Sequence, residues 1–197
     1  MNFLELVKKN RSYRGFDENV KITREEMLKI VDCARLCPSS VNIQPLKYYI
    51  SCTEEQNDII QPLTRWARQL QHLDLPFEGH HPTAFVVICH DKNIAENPER
   101  FYKDVGIVAQ TMLLCATDMG YGGCMIGNFT PDEISKALSL PQNLVPVLIV
   151  ALGKPDENII MIPVSESKDI KYYRDKQNNH YVPKRSIDEV VINSTIN

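Results

Sequence analysis

Apolar and polar residues follow two different rhythms along the chain, one of helical period and one continuous. Residues 3–9 have the spacing of a turn or two of helix, after which Arg11, Ser12, Arg14 and Gly15 break the apolar pattern with a cluster of donors. From Thr23, with Glu26 completing a capping box, Met27, Ile30, Val31 and Ala34 recur at helical spacing until Pro38 ends the run. A helix therefore leads straight into CPSSVNIQP, residues 37–45. Residues 47–52, rich in Tyr and Ile, predict a short strand. Thr53 with Gln56 caps a further helical stretch carrying Ile59, Ile60, Leu63, Trp66 and Leu70 and disturbed at Pro62, and residues 72–81 predict a polar surface excursion.

The run TAFVVICH, residues 83–90, is continuously apolar and β-branched, the signature of a strand covered on both faces. Asn97 and Pro98 start the next helix, in which Phe101, Val105, Val108, Met112, Leu113 and Ala116 keep helical spacing up to Met119 before Gly120 ends it. That helix is apolar on more than one face, so it needs cover from a sheet or from a second subunit. YGGCMIGNF, residues 121–129, concentrates glycines in a way that suits close backbone approach to a ligand or partner. Thr130 and Pro131 begin a short helix, and residues 145–153 repeat the buried-strand signature. Beyond Pro155 the chain turns polar, aromatic and irregular, with little core of its own. The pattern predicts one domain, 1–197, an α+β or α/β sandwich in which helices cover a central sheet, with 155–197 as an extended arm lying on a second subunit.

Composition narrows the function classes. With 43% hydrophobic and 24% charged residues over 197 positions, the chain is an ordinary globular protein. The formal net charge of -3 provides no general attraction to nucleic acid or to an anionic membrane surface. The first residues meet charge at Glu5, too early for the apolar stretch of a secretory signal, so a cytoplasmic location is expected. The six cysteines lack paired CxxC spacing and are read as buried free thiols. Cys33 and Cys37, one helical turn apart, form a redox pair or simply pack. His72, His80, His81 and His90 fall in no metal-ligand spacing and are read as surface histidines, so no metal is expected.

Two segments carry chemistry. Arg11, Ser12 and Arg14 offer two guanidinium groups and a hydroxyl within four residues, matching the charge and geometry of a phosphate. Ser39, Ser40, Asn42 and Gln44 place donors and acceptors in one loop, able to read both kinds of edge on a heterocycle such as a flavin or a nucleotide base.

NRSYRGF and CPSSVNIQPL, in this order and separation, resemble the two signature segments of the nitroreductase family, of the form RRSxRxF and APSSxNxQPW. The resemblance continues through the long helix ending at Gly120, the segment from Ile126 to Phe129, the strand ending ALGKP, and the basic pair Lys184 and Arg185. It implies an α+β nitroreductase-like sandwich with a central, mostly antiparallel sheet covered by helices, assembled as a domain-swapped homodimer with FMN at the subunit interface. It also implies roles: Arg11, Ser12 and Arg14 at the flavin phosphate and pyrimidine edge; Pro38, Ser39, Ser40 and Asn42 approaching from the other subunit; Ile126, Gly127 and Asn128 near the isoalloxazine ring; Lys184 and Arg185 near the phosphate. The implied activity is an oxidoreductase passing hydride from NADH or NADPH through the flavin N5 to a small organic acceptor, a nitroaromatic, a quinone or similar, with no side chain acting as nucleophile. A flavin-binding sensor or storage module without turnover is the alternative. Three positions depart from the pattern: Asn10 where many members have an arginine, Leu46 in place of the frequent Trp, and Gly127 where some members have Glu.

Overall fold

The computed structural model describes residues 1–193, which group into two compact units, one of Met1–Trp66 with Leu75–Asp156 and one of Ala67–Asp74 with the chain from Glu157 onward. In the first unit, helix α1 (Phe3–Lys9) and the short strand β1 (Phe16–Asp17) precede α2 (Arg24–Arg35), β2 (Leu46–Ser51), α3 (Glu54–Ile60) and β3 (Ala84–Asp91). The long α4 (Tyr102–Asp118), β4 (Gly122–Ile126), α5 (Pro131–Ala137) and β5 (Leu144–Pro155) complete it.

The sheet is antiparallel throughout, in the order β1-β5-β3-β2, with β4 also paired to β5. Because side chains on a strand alternate between faces, the continuous apolar run of β3 serves two cores at once. Ala84, Val86 and Ile88 join Met27, Ile30 and Ala34 of α2 and Val105, Val108, Met112 and Leu113 of α4 on one side. Phe85, Val87 and Cys89 join Ile60 of α3 and Ile134 of α5 on the other. The sheet is therefore covered on both faces, which is the α+β architecture expected.

Helix boundaries follow their caps. Asn2 with Glu5 and Thr23 with Glu26 form capping boxes at the starts of α1 and α2. Asn97 accepts the Glu99 amide and opens a 3-10 turn that runs into α4. Gly120, at φ +89°, takes the left-handed conformation just past the end of α4.

Three expectations are corrected. The stretch after Thr53 is not one helix through Leu70: α3 stops at Ile60, because Pro62 can enter only the 3-10 turn Gln61–Leu63. The close backbone approach expected of the glycines in 121–129 is, at Gly122 and Gly123, to the protein itself: both lie within β4. A β-carbon on Gly123 would sit 2.3 Å from the Ala151 carbonyl oxygen and 2.7 Å from Leu113. His90 is a buried residue of β3, packed at 5.6 Å against the Phe101 ring, rather than a surface histidine.

The second unit also departs from the irregular tail read from its polarity. Strands β6 (Ile159–Pro163), β7 (Tyr173–Arg174) and β8 (His180–Lys184) form a three-stranded sheet, β6 parallel and β7 antiparallel to β8, flanked by the short helices α6 (Val164–Ser167) and α7 (Ile187–Val190). Its interior includes, besides the buried Leu70, a polar set: Glu157 pairs with Arg174, side chains 3% and 5% exposed, next to the buried His180. A buried ion pair has no hydrophobic periodicity to read.

Candidate functional site

Residues 10–15 leave α1 as an extended segment that lies along β4. Ser12 forms a parallel bridge with Gly123, and the Tyr13 amide donates to the Gly123 carbonyl at 3.0 Å. The Tyr13 ring fills the space above Gly122, where a β-carbon would meet it at 2.5 Å. Absence of side chains on these two glycines is what lets the segment carrying Arg11, Ser12 and Arg14 dock on the strand that leads to Ile126, Gly127 and Asn128. Arg11 donates through Nε to Asn10 and through Nη2 to the Val7 carbonyl at 2.8 Å, covering the carbonyl end of α1. Arg14 Nη1 donates to the Ser12 carbonyl at 3.1 Å, and Ser12 itself is exposed. Asn10 is buried, its amide capping α1 on Leu6, so this residue serves the helix end.

At the far end of β4, Ile126 is buried in the sheet core while Gly127 and Asn128 are exposed. A β-carbon on Gly127 would meet nothing within 4 Å. The Asn128 carbonyl accepts the Arg65 amide at 2.9 Å, and Phe129 bridges Thr64.

The loop after α2 is held by a residue that the sequence reading did not single out. Asp104, 2% exposed in the first turn of α4, accepts from Ser39 Oγ at 2.6 Å, Ser40 Oγ at 2.7 Å and the Ser40 amide at 2.9 Å. Burial pushes its carboxyl upward, but these three donors outweigh burial and hold it below the ordinary carboxylate value. Ser39 Oγ also accepts the Gln44 amide at 3.0 Å, so both serine hydroxyls are bound to the protein itself. The signal was present in the sequence: an aspartate in the helical register of Phe101, Val105 and Val108 is a charge on a buried face, which needs partners.

The loop that Asp104 anchors is strained. Val41, Asn42 and Gln44 have φ values of 53°, 58° and 54°, a left-handed conformation unusual for any of them and most costly for the β-branched Val41. Gln44 Nε2 donates to the Asn42 side chain at 3.0 Å, and Asn42 and Pro38 are exposed. Behind the loop is a cleft of about 210 Å³ lined by Cys37, Ser39, Gln44, Leu46, Lys47 and Tyr48, among others. Burial first, then Cys37 and Asp104, push the Tyr48 phenol up to about 12, leaving a neutral donor at the cleft wall. Leu46, where the family pattern has Trp, is part of that wall.

Lys184 and Arg185 lie in the second unit at the end of β8, both exposed, with Arg185 Nη1 3.4 Å from Glu189. Within the first unit the structure brings the Arg11–Arg14 segment onto β4 and the 38–44 loop onto α4. Among the described residues no group of three or more His, Cys, Asp or Glu is arranged to hold a metal ion, and no helix is long and apolar enough to cross a membrane.

An antiparallel sheet covered on both faces by helices, with a basic segment docked on one strand and an anchored polar loop after α2, defines an α+β protein of the nitroreductase fold. The sequence profile of the nitroreductase family matches residues 7–154, and the chain belongs to that family. An NADPH-flavin oxidoreductase from Vibrio harveyi is 28% identical over 172 residues, covering 80% of this chain and 67% of that protein. A nitroreductase family protein from Clostridium difficile 630 superposes with a TM-score of 0.69 at 25% identity over 100% of both chains. A protein from Exiguobacterium sibiricum 255-15, solved in complex with FMN, gives a TM-score of 0.66 at 25% identity over 87% of this chain and 98% of its own.

Proposed function

We propose that this protein is an FMN-dependent oxidoreductase that takes hydride from NADH or NADPH and passes it to a small organic acceptor of the nitroaromatic or quinone type, working as a homodimer. The observation that carries the reading is the docking of the Arg11–Arg14 segment on β4 through Ser12 and Gly123, which sets guanidinium groups and an exposed hydroxyl along the strand that leads to the open backbone of Gly127.

That donor set fits FMN. Arg11 and Arg14 each carry five N–H groups in a planar fork, suited to a phosphate or to the polar edge of the pyrimidine ring. Exposed Ser12 adds a hydroxyl. A cation at the pyrimidine edge favours the anionic reduced flavin, and Arg14 is assigned that role. Gly127 leaves room for a planar ring, and Ile126 and Asn128 flank that opening. The 38–44 loop, through Pro38, Ser39, Ser40 and Asn42, is assigned to the site of the partner protomer; Ser39 and Ser40 act there by holding the loop on Asp104. Lys184 and Arg185 are assigned to the phosphate on family resemblance alone. Bound FMN would supply the hydride chemistry at its N5, the protein contributing position, electrostatics and exclusion of water.

Purified protein should show an oxidised-flavin absorbance spectrum, or acquire one on loading with FMN, and anaerobic NADH or NADPH should bleach it within turnover time. A flavin spectrum that neither nucleotide bleaches would instead mark a flavin-binding module without turnover. Protein that stays colourless after loading would remove the FMN assignment.

A further inference from the structure

The two helices that carry the anchored loop and its aspartate meet across a row of sulfur atoms. Cys33 Sγ of α2 lies 3.3 Å from Cys115 Sγ of α4, although the two residues are 82 positions apart in sequence. Along the same contact, Cys37 Sγ lies 3.1 Å from Thr111 Oγ1, and Cys115 Sγ lies 3.9 Å from Met119 Sδ. Cys33 and Cys115 are half-buried, whereas Cys89 and Cys124 are closed off in the core. The sequence spacing left Cys33 and Cys37 either a redox pair or packing residues; in the fold the Cys37 thiol turns to Thr111 and to the Cys33 carbonyl.

We propose that Cys33 and Cys115 form a reversible disulfide, closed by hydrogen peroxide and reopened by thiols, which staples α2 to α4. One thiol sulfur is oxidised by the peroxide to a sulfenic acid with release of water. The second sulfur then attacks it, expelling hydroxide that leaves with the second thiol's proton as another water. Two thiols lose two electrons, and one peroxide becomes two waters.

Three features favour this bond. A disulfide of about 2.05 Å asks the two sulfurs to close by little more than an ångström from where they lie. Partial exposure gives a small oxidant access, and the second thiol is already in place to resolve the sulfenic acid before further oxidation. The staple joins α2, just ahead of the 38–44 loop, to α4, the helix whose Asp104 holds that loop.

The test uses the full-length protein, treated with hydrogen peroxide, alkylated with iodoacetamide and digested with trypsin without reductant. Cleavage after Lys29 and Arg35 isolates Cys33 in residues 30–35, apart from Cys37, and Cys115 falls in residues 104–136. These two peptides should appear joined, two hydrogens lighter than their sum, with fragmentation placing the link at Cys115 rather than Cys124. Dithiothreitol should dissolve the link; Cys33→Ser and Cys115→Ser should abolish it, and Cys37→Ser should leave it intact. The proposal is overturned if both cysteines remain fully alkylated after oxidation, if the link joins Cys33 to Cys37, or if Cys33 accumulates as sulfinic acid beside a free Cys115 thiol.

Discussion

Asp104 concentrates three hydrogen bonds on one buried carboxylate, and its replacement separates charge from shape. Asp104→Asn keeps the volume but replaces one acceptor oxygen by an amide donor that faces the serine donors, so it should destabilise the protein by roughly 2–3 kcal/mol in urea unfolding. It should also loosen the 38–44 loop and lower FMN occupancy. The pH dependence follows from the depressed carboxyl. A group whose folded pKa lies below its ordinary 3.8 contributes stability that is fully present above that value and is lost as pH falls through the folded pKa. Wild-type stability should therefore fall more steeply than that of Asp104→Asn on acidification below about pH 4; parallel curves would deny Asp104 this role. On the proposed ligand side, Arg14→Ala should weaken FMN binding by roughly 1.5–3 kcal/mol, read by fluorescence titration. Unchanged affinity would take Arg14 out of the site.

At the scale of elements, the glycines at the start of β4 and just past its end have opposite duties. Gly123 is closed in by Ala151, Leu113 and Leu152, so Gly123→Ala must displace backbone on β5 or side chains of α4 and the core. A loss of roughly 1–3 kcal/mol in thermal or urea unfolding is expected, with the Arg11–Arg14 segment displaced from the strand. Gly127 faces open space, so Gly127→Ala should leave stability within about 0.5 kcal/mol of wild type. If Gly127 borders the flavin, that same silent substitution should alter FMN affinity or turnover. Equal effects of the two changes on stability would contradict the tight packing at Gly123 and the open space at Gly127.

For the whole molecule, the surface of α1, of α4 and of the chain from the end of α2 into the 38–44 loop leaves large apolar side chains uncovered. Leu4 is 63% exposed, Leu36 68%, Val41 83% and Ile107 41%, and α4 packs against both α1 and α2. Exposure of this kind along packed helices is what a homodimer would bury. Light scattering at micromolar concentration should give twice the mass of one chain, and Ile107→Asp should shift it toward the monomer with loss of FMN. A wild-type protein that is monomeric with full flavin occupancy would contradict the dimer.

Residues near one another in sequence determined much of this protein by themselves. Capping boxes at Asn2 and Thr23, the apolar period of α2 and α4, and the unbroken runs of β3 and β5 encode their elements locally, because each needs only neighbours a few positions away. The donor segments at Arg11 and Ser39 were legible for the same reason, and so was the family. Tertiary structure decided what depends on distant partners. Ser39 and Ser40 bind Asp104, 65 and 64 positions later, so their hydroxyls hold a loop. Gly122 and Gly123 suited close backbone approach to a ligand or partner, yet their lack of side chains admits Tyr13 and the neighbouring strand. The buried ion pair of the second unit and the meeting of Cys33 with Cys115 have no period along the chain, because both arise only when segments far apart in sequence are packed face to face.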